Sequence, residues 1–322
     1  MKRWLVTGGA GYIGSHVVHD LIKAGAEVIV FDDLSTGFDS YIPKGVRLVK
    51  ANLNNTTELS GALKGTFGVI HLAAYKYASE SVDHAIENHE SNVIGTFNLL
   101  KCMKQEKVAH LIFSSSAGVY GSQKVLPVTE ESACEPESPY ATSKLIDEML
   151  IKDVVNAHDP ISPLHALALR YFNVVGSGYP HLADKSPYSL FSIILNKYAK
   201  GEKPSITGND FPTPDGTPIR DYIHVSDISS AHVLAAQHME ANSVGYEVLN
   251  LSTANGISVL EVMNEFKKQL GDSFQFDFTD RRPGDPAASY GDATKAKKVL
   301  GWSAKESLQS MVASSIASTK QA

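Results

Sequence analysis

The chain has 322 residues, of which 43% are hydrophobic and 20% charged, an ordinary globular composition with length enough for one large domain or two closely joined ones. A net charge of −6, an isoelectric point near 6.1 and scattered Lys and Arg give no general attraction to phosphate backbones or anionic membranes, which argues against nucleic acid as a partner. The two cysteines, Cys102 and Cys134, have no CxxC spacing, so neither a disulfide framework nor a zinc site is indicated and a cytoplasmic location is expected.

Met1-Lys2-Arg3 leads directly into an apolar strand, without the apolar core and cleavage site of a secretory signal. No apolar run approaches the roughly 18 residues of a membrane span. Short apolar runs at 4–6, 28–31, 46–49, 69–73, 111–113 and 166–169 read as buried strands. Between them lie segments with helical spacing, such as Val17, Leu21 and Ala24 after the first and Val93, Phe97 and Leu100 after the fourth. Strands apolar on both faces, alternating with helices, predict an α/β fold with a Rossmann-type, doubly wound parallel sheet.

The first strand runs into Gly8-Gly9-Ala10-Gly11-Tyr12-Ile13-Gly14, a GxxGxxG spacing at a strand-to-helix junction. Missing side chains there let the backbone approach a pyrophosphate at the helix N-terminus. Glycine spacing alone is a weak signal. It gains force because the next strand ends in Asp32-Asp33, about 20 residues on, where a carboxylate accepts hydrogen bonds from an adenosine ribose. That carboxylate would repel a 2′-phosphate and no Arg lies nearby, so NAD rather than NADP is the expected cofactor.

The strand at 111–113 continues into Ser114-Ser115-Ser116, at the carboxyl edge where open α/β sheets bind ligands, and Ser116 is placed to hydrogen-bond a reacting hydroxyl. Ser138-Pro139-Tyr140-Ala141-Thr142-Ser143-Lys144 then opens a helix with Tyr140 and Lys144 one turn apart on one face. A free tyrosine titrates near pH ~10, so it serves as a base at neutral pH only with its phenolate stabilised. A lysine ammonium and the positive nicotinamide ring both push that way. A Tyr and a Lys four apart are otherwise often a solvated surface pair; the glycine loop, the serines and the chain order favour catalysis.

After Phe172, glycines and prolines from Gly176 to Pro218 punctuate a loop-rich stretch around one helical segment near 189–200, which predicts a smaller second lobe. Residues 227–240 read as a helix capped by Ser226 or Asp227, and 246–251 as a strand rejoining the sheet. The expected division is a dinucleotide-binding domain at 1–174, joined again by roughly 222–252, and a substrate lobe formed mainly by 175–322. Amphipathic helices are expected at 259–270 and at 306–316, the latter with Leu308, Met311, Val312 and Ile316 on one face, followed by a frayed tail at 318–322. The 12 histidines show no HExxH or clustered ligand spacing, so no metal is expected.

Several stretches carry a more specific resemblance: residues 7–16, Ala73-Ala74-Tyr75-Lys76 with Glu80-Ser81, Asn92-Val93-Ile94-Gly95-Thr96 and 114–121. Leu169-Arg170-Tyr171-Phe172-Asn173, Gly208-Asn209-Asp210, Arg220-Asp221-Tyr222-Ile223-His224-Val225 and Arg281-Arg282-Pro283-Gly284-Asp285 continue it in order over nearly the whole chain. In these the chain resembles the extended short-chain dehydrogenase/reductase family, most nearly its UDP-glucose 4-epimerase branch. The resemblance implies an isomerase in which bound NAD takes a hydride from C4 of a UDP-hexose, the 4-keto sugar turns over, and the hydride returns to the other face. It implies Tyr140 as acid/base, Ser116 at the substrate oxygen and Lys144 on the ribose. Lys76 and Asn92 would position the cofactor, with further contacts from Ser35, Thr36, Asn52, Leu53, Leu72, Ala73, Ala74, Ser114, Tyr171 and Phe172. Lys76, Asn173, Ser189, Leu190, Arg220, Tyr222, Arg282, Asp285 and Ser289 would meet the nucleotide sugar, the arginines at the diphosphate. A homodimer through the helices near 92–106 and 140–157 is also implied.

Relatives that dehydrate or decarboxylate their sugars place an acid just after the serine; this chain has Ala117-Gly118, which favours epimerisation over lyase or net redox chemistry. A non-catalytic NAD-binding regulator would have no use for the complete Ser116, Tyr140 and Lys144 set. Departures from the pattern bear on the sugar. Asn52 replaces an Asp near the adenine, Ala78-Ser79 replaces Val-Gly, and Ser189 replaces an Asn. The resemblance places Ser289 beside the sugar's C2 substituent, where its small side chain would admit an N-acetyl group. Glucose, N-acetylglucosamine, a hexuronate and a specialised sugar all remain open on the sequence.

Overall fold

The computed structural model describes residues 1–322 except 158, 160–162, 283 and 321–322. Strands β1 (Arg3–Thr7), β2 (Glu27–Asp32), β3 (Arg47–Lys50), β4 (Gly68–His71), β5 (His110–Ser116) and β6 (His165–Tyr171) alternate with helices. These are α1 (Tyr12–Lys23), α2 (Thr56–Leu63), α3 (Ala85–His89), α4 (Gly95–Glu106) and α5 (Pro139–Asn156), with a wider turn at Glu90–Ile94 joining α3 to α4. Next come β7 (Asn173–Val175), α6 (Leu190–Ala199), β8 (Ser205–Thr207), β9 (Ile219–Arg220), β10 (Tyr222–His224), α7 (Val225–Ala241) and β11 (Tyr246–Leu251). The chain closes with β12 (Ile257–Ser258), α8 (Val259–Leu270), β13 (Asp277–Thr279), β14 (Ala288–Ser289), α9 (Thr294–Leu300) and α10 (Leu308–Thr319).

Seven strands form one parallel sheet in the order β11-β6-β5-β4-β1-β2-β3. Successive strand residues point to opposite faces, and both faces are apolar. Leu5, Ile29, Val69, Leu111 and Ala166 pack under α2, α4 and α5, while Trp4, Val6, Val28, Val30, Ile70 and Ile112 pack under α1 and α7. Burial on both sides explains why these strands read as continuous apolar runs rather than alternating ones. The chain winds outward from β1 in one direction and from β4 in the other, so a crevice opens between their carboxyl ends.

A separate core gathers Phe191, Ile194 and Leu195 of α6, Val262, Met263 and Phe266 of α8, Phe274, and Met311 and Val312 of α10. β10 pairs with β7, and β11 rejoins the central sheet as the sequence predicts. Two expectations need correction here. The N-cap of α7 is His224, whose Nδ1 accepts from the Ser226 amide at 3.0 Å; it sits at the end of an extended strand, so its ring folds back over the first turn. Asp227 instead accepts from the amides of Lys305 and Glu306, at 3.1 and 3.0 Å, tying down the segment before α10. Finally, Ser318 is buried inside α10 rather than in a frayed tail, and residues 321–322 of that expected tail lie outside the described residues.

Candidate active site

The glycine loop is shaped by contacts that leave no room for side chains. A Cβ on Gly8, which has φ +69°, would lie 2.6 Å from the Ala73 amide nitrogen, and one on Gly14 only 2.0 Å from the Gly8 carbonyl oxygen. Gly11 caps α1 without a side-chain acceptor. The first-turn residues Tyr12, Ile13 and Gly14 therefore line the crevice with the positive end of the helix.

Asp32 closes this loop, its oxygens accepting from the amides of Ala10 at 2.9 Å and Leu34 at 2.8 Å. Burial raises its carboxyl against those bonds. Asp33 accepts from the Ser35 amide at 2.9 Å and the Asn52 side chain at 2.8 Å. Burial pushes its carboxyl up, but the Ser35 and Asn52 hydrogen bonds outweigh it, and the group sits below the usual range. Two carboxylates at the end of β2, held in place by backbone and amide donors, suit the hydroxyls of an adenosine ribose.

The reacting groups stand on two long elements. β5 delivers Ser114, Ser115 and Ser116 to the crevice. α5 begins at Ser138, whose hydroxyl accepts from the Ala141 amide at 3.2 Å, with Pro139 at the first position. Tyr140 follows, its amide donating to the Ser81 hydroxyl at 3.1 Å. The Tyr140 phenol is raised by burial and by Asp147, and lowered by its hydrogen bond with Ser116. Lys144 is 2% exposed. Its Nζ donates to the Ser114 carbonyl at 2.9 Å and lies 4.8 Å from the Phe113 ring centroid and 6.0 Å from that of Tyr140. Burial pulls the ammonium down from the usual lysine range, opposed by Asp147 and Glu148.

Below them Glu148 accepts from the Ser115 hydroxyl at 2.5 Å and from Arg170 Nε at 2.8 Å and Nη2 at 2.5 Å. This buried clamp joins α5, β5 and β6 at the level where the three serines emerge. Ser114 and Tyr171 share a hydroxyl hydrogen bond beside it.

One cavity of about 600 Å³ collects every expected cofactor contact except Asn92, and also Ser116, Asn173, Ser189, Leu190 and Tyr222. Asn92 is buried behind the wall, exchanging hydrogen bonds with the Tyr75 amide at 2.7 Å and its carbonyl at 3.1 Å, and donating to Ser143 at 2.8 Å. It thereby fixes the backbone leading into Lys76 against α5. Arg220, Asp285 and Ser289 form a separate group on the small lobe. Ser289 is paired with Arg220 across β14 and β9, Arg220 lies 3.8 Å from Asp285, and its Nη1 donates to the Ile219 and Pro286 carbonyls at 2.8 Å. Arg282 is exposed on the adjoining loop.

Sequence reasoning missed Tyr77, Asp184, Ser186 and Tyr188, which also line the cavity. The Asp184 carboxylate accepts from the Ser186 amide at 3.0 Å and from the Ser189 hydroxyl at 2.5 Å, and the Tyr77 and Tyr188 rings lie 4.7 Å apart between centroids. These residues sit in irregular loops, where spacing carries no signal. Among the described residues no group of three or more His, Cys, Asp or Glu side chains is placed to hold a metal, and no helix is long and apolar enough to cross a membrane.

A doubly wound sheet with a glycine cradle, paired carboxylates after β2 and a Ser-Tyr-Lys centre after β5 defines a dinucleotide-dependent enzyme that moves a hydride and a proton together. Comparison with known proteins is more specific. The chain belongs to the NAD dependent epimerase/dehydratase family, which matches residues 4–251. It is 38% identical over 307 residues to a UDP-glucose 4-epimerase of Lactobacillus helveticus, covering 94% of this chain and 92% of that one. Its fold is similar to that of a Stenotrophomonas maltophila UDP-glucose-4-epimerase with bound NAD and formylated UDP-arabinopyranose, with TM-score 0.92, 34% identity and both chains fully covered. A Bifidobacterium longum UDP-glucose 4-epimerase in complex with NAD+ and UDP matches with TM-score 0.90 and 36% identity over 99% of this chain and 98% of that one.

Proposed function

We propose that this chain is an NAD-dependent epimerase that inverts C4 of a UDP-hexose, interconverting UDP-glucose and UDP-galactose. The observation that carries the reading is the Ser116, Tyr140 and Lys144 centre at the cavity floor with no acid at 117 or 118. The glycine cradle, the N-terminus of α1, Asp32 and Asp33 fit NAD, and Lys76, Ser114, Tyr171 and Phe172 complete its walls. When bound, NAD supplies a two-electron acceptor and donor at C4. Tyr140 takes the C4 hydroxyl proton on its phenolic oxygen and returns it, so no net proton is released. Ser116 holds that oxygen, and the Lys144 ammonium stabilises the phenolate electrostatically. Without a carboxylic acid beside Ser116, elimination and decarboxylation lack a proton carrier.

Asn173, Arg220 and Arg282 are assigned to the nucleotide diphosphate, Asp285 to the uridine ribose, and Ser189 and Ser289 to the sugar. Asp184, which accepts from the Ser189 hydroxyl assigned to the sugar, lines that part of the cavity with a carboxylate and favours a neutral hexose over a hexuronate. Cys102 and Cys134 are free thiols, as a reducing cytoplasm would keep them. The chain is assigned as a homodimer through an apolar face on which Ile86, Ile94, Phe97 and Met149 are 49–80% exposed. Light scattering at the mass of one 34.8 kDa chain would reject that assignment.

The test of the activity is incubation of the purified protein, without added cofactor, with a panel of nucleotide sugars followed by NMR. Interconversion of UDP-glucose and UDP-galactose is expected, with loss of about 10²–10⁴-fold in Tyr140→Phe. Accumulation of a keto product or dependence on added NAD would point to a lyase or oxidoreductase instead.

A further inference from the structure

One buried charge has no place in the scheme so far. Asp147 is 1% exposed, lies three residues beyond Lys144 on α5, and so shares its helix face. Neither carboxylate oxygen meets strict hydrogen-bond geometry with any described residue, and the Thr96 hydroxyl is the one neutral donor whose influence reaches it. A carboxylate taken out of water with so little donor support costs several kcal/mol, more than one hydroxyl returns. Something nearby must compensate it.

The neighbouring elements leave one candidate. Across from Asp147 stand Thr96 of α4 and His71 of β4, a buried imidazole bonded through Nδ1 to the Thr7 hydroxyl at 2.7 Å and through Nε2 to the Thr96 hydroxyl at 3.1 Å. Burial, then the charge of Lys144, holds His71 down to about 3, so it is neutral at working pH and brings no cation. Arg170 of β6 is taken up by both oxygens of Glu148. Tyr171 of β6 is raised by burial and stays neutral, and Tyr140 is the acid/base itself. Among the described residues the remaining cation is Lys144, whose Nζ makes one bond there, to the Ser114 carbonyl. The same inventory decides which carboxylate serves Lys144. Glu148 is neutralised by Arg170, and Asp147 is the uncommitted charge.

We propose that Asp147 is a positioning residue of the catalytic centre, a buried counter-charge whose role is to keep Lys144 an ammonium at neutral pH. Asp147 does not touch substrate or cofactor; it acts through Lys144. The electrostatics agree in direction. Burial lowers Lys144 with Asp147 the largest opposing influence, and burial raises Asp147 with Lys144 the largest opposing influence. An ammonium is lost as pH rises through its folded pKa. Removing the counter-charge lowers that pKa, so the Asp147 variant should lose the ammonium at lower pH than the wild type.

The kinetic part of this inference rests on the epimerase reading, and the titration part does not. Lys144 is followed by NMR of protein labelled with ¹³C-lysine, its signal identified by its absence in Lys144→Met. In Asp147→Asn, Lys144 should titrate about 1–3 pH units below the wild type, the range for loss of a neighbouring opposite charge. The alkaline limb of kcat against pH should move down with it, leaving activity at pH 6 less affected than at pH 8. Asp147→Ser, smaller and uncharged, should give the same displacement, and serves if the Asn variant fails to fold. An unmoved Lys144 titration in both variants, or a loss of kcat equal at every pH, would overturn the proposal. A displaced titration in a protein that epimerises no sugar would leave the inference standing and sink the activity assigned above.

Discussion

At the cavity floor each reacting side chain stands on β5, of seven residues, or α5, of eighteen, and is braced from behind by buried polar partners. A small-lobe wall outside the cavity lining hangs Arg220 and Ser289 on the two-residue strands β9 and β14, and Asp285 on a loop beside them. The floor spends its hydrogen bonds on holding itself. The Glu148 and Arg170 clamp, Lys144 on Ser114 and Asn92 on Tyr75 are all internal. The wall is half-exposed and supported by few elements. Chemistry that moves a hydride and a proton tolerates little misplacement, so its groups belong on rigid elements. Recognition of a nucleotide sugar has many contacts over which to spread an error, and loops suffice.

The largest expected effect breaks the floor. Glu148→Ala strands the Arg170 guanidinium, which is buried and paired with no other carboxylate among the described residues, and releases Ser115. Loss of one partner of a buried pair should lower unfolding stability by about 3–5 kcal/mol, read by denaturant titration. A change under about 1 kcal/mol, the worth of a surface pair, would show that the floor is not braced this way.

A smaller effect belongs to the wall. Arg220→Met should raise KM for UDP-glucose about tenfold or more, matching loss of a charge-assisted hydrogen bond, with kcat changed far less. Steady-state kinetics separates the two, and an equal fall in kcat with unchanged KM would place Arg220 in the chemistry. The smallest change is one of preference. Ser289→Tyr should suppress turnover of UDP-N-acetylglucosamine while UDP-glucose turnover stays within a few-fold. If the wild type shows no N-acetyl activity, the small residue at 289 does not set the pocket.

The two regions were unequally legible. The six apolar runs matched β1 to β6 within about three residues, because parallel strands covered on both faces have no polar alternation to obscure them. Residues 246–251 and 259–270 coincide with β11 and α8. The cap of α7 was misread because Ser226 and Asp227 are common N-caps, whereas His224 takes the role only through the strand that precedes it. Asp184, Tyr77 and Tyr188 left no trace, since their meeting depends on how two loops cross the crevice.

What the sequence determined by itself was local: the glycine turn, the Tyr140 and Lys144 spacing, the serines ending β5, and the apolar periods of the sheet. Each follows from backbone sterics or from the pitch of a single element. Only the tertiary structure decided that Glu148 is spent on Arg170 while Asp147 is not, and that Asn92 braces a wall rather than lining it. It also decided that Asp184 faces the cavity. Two adjacent carboxylates on one helix look alike in sequence. Their difference arises because a buried charge takes its meaning from the elements packed around it, and those come from distant parts of the chain.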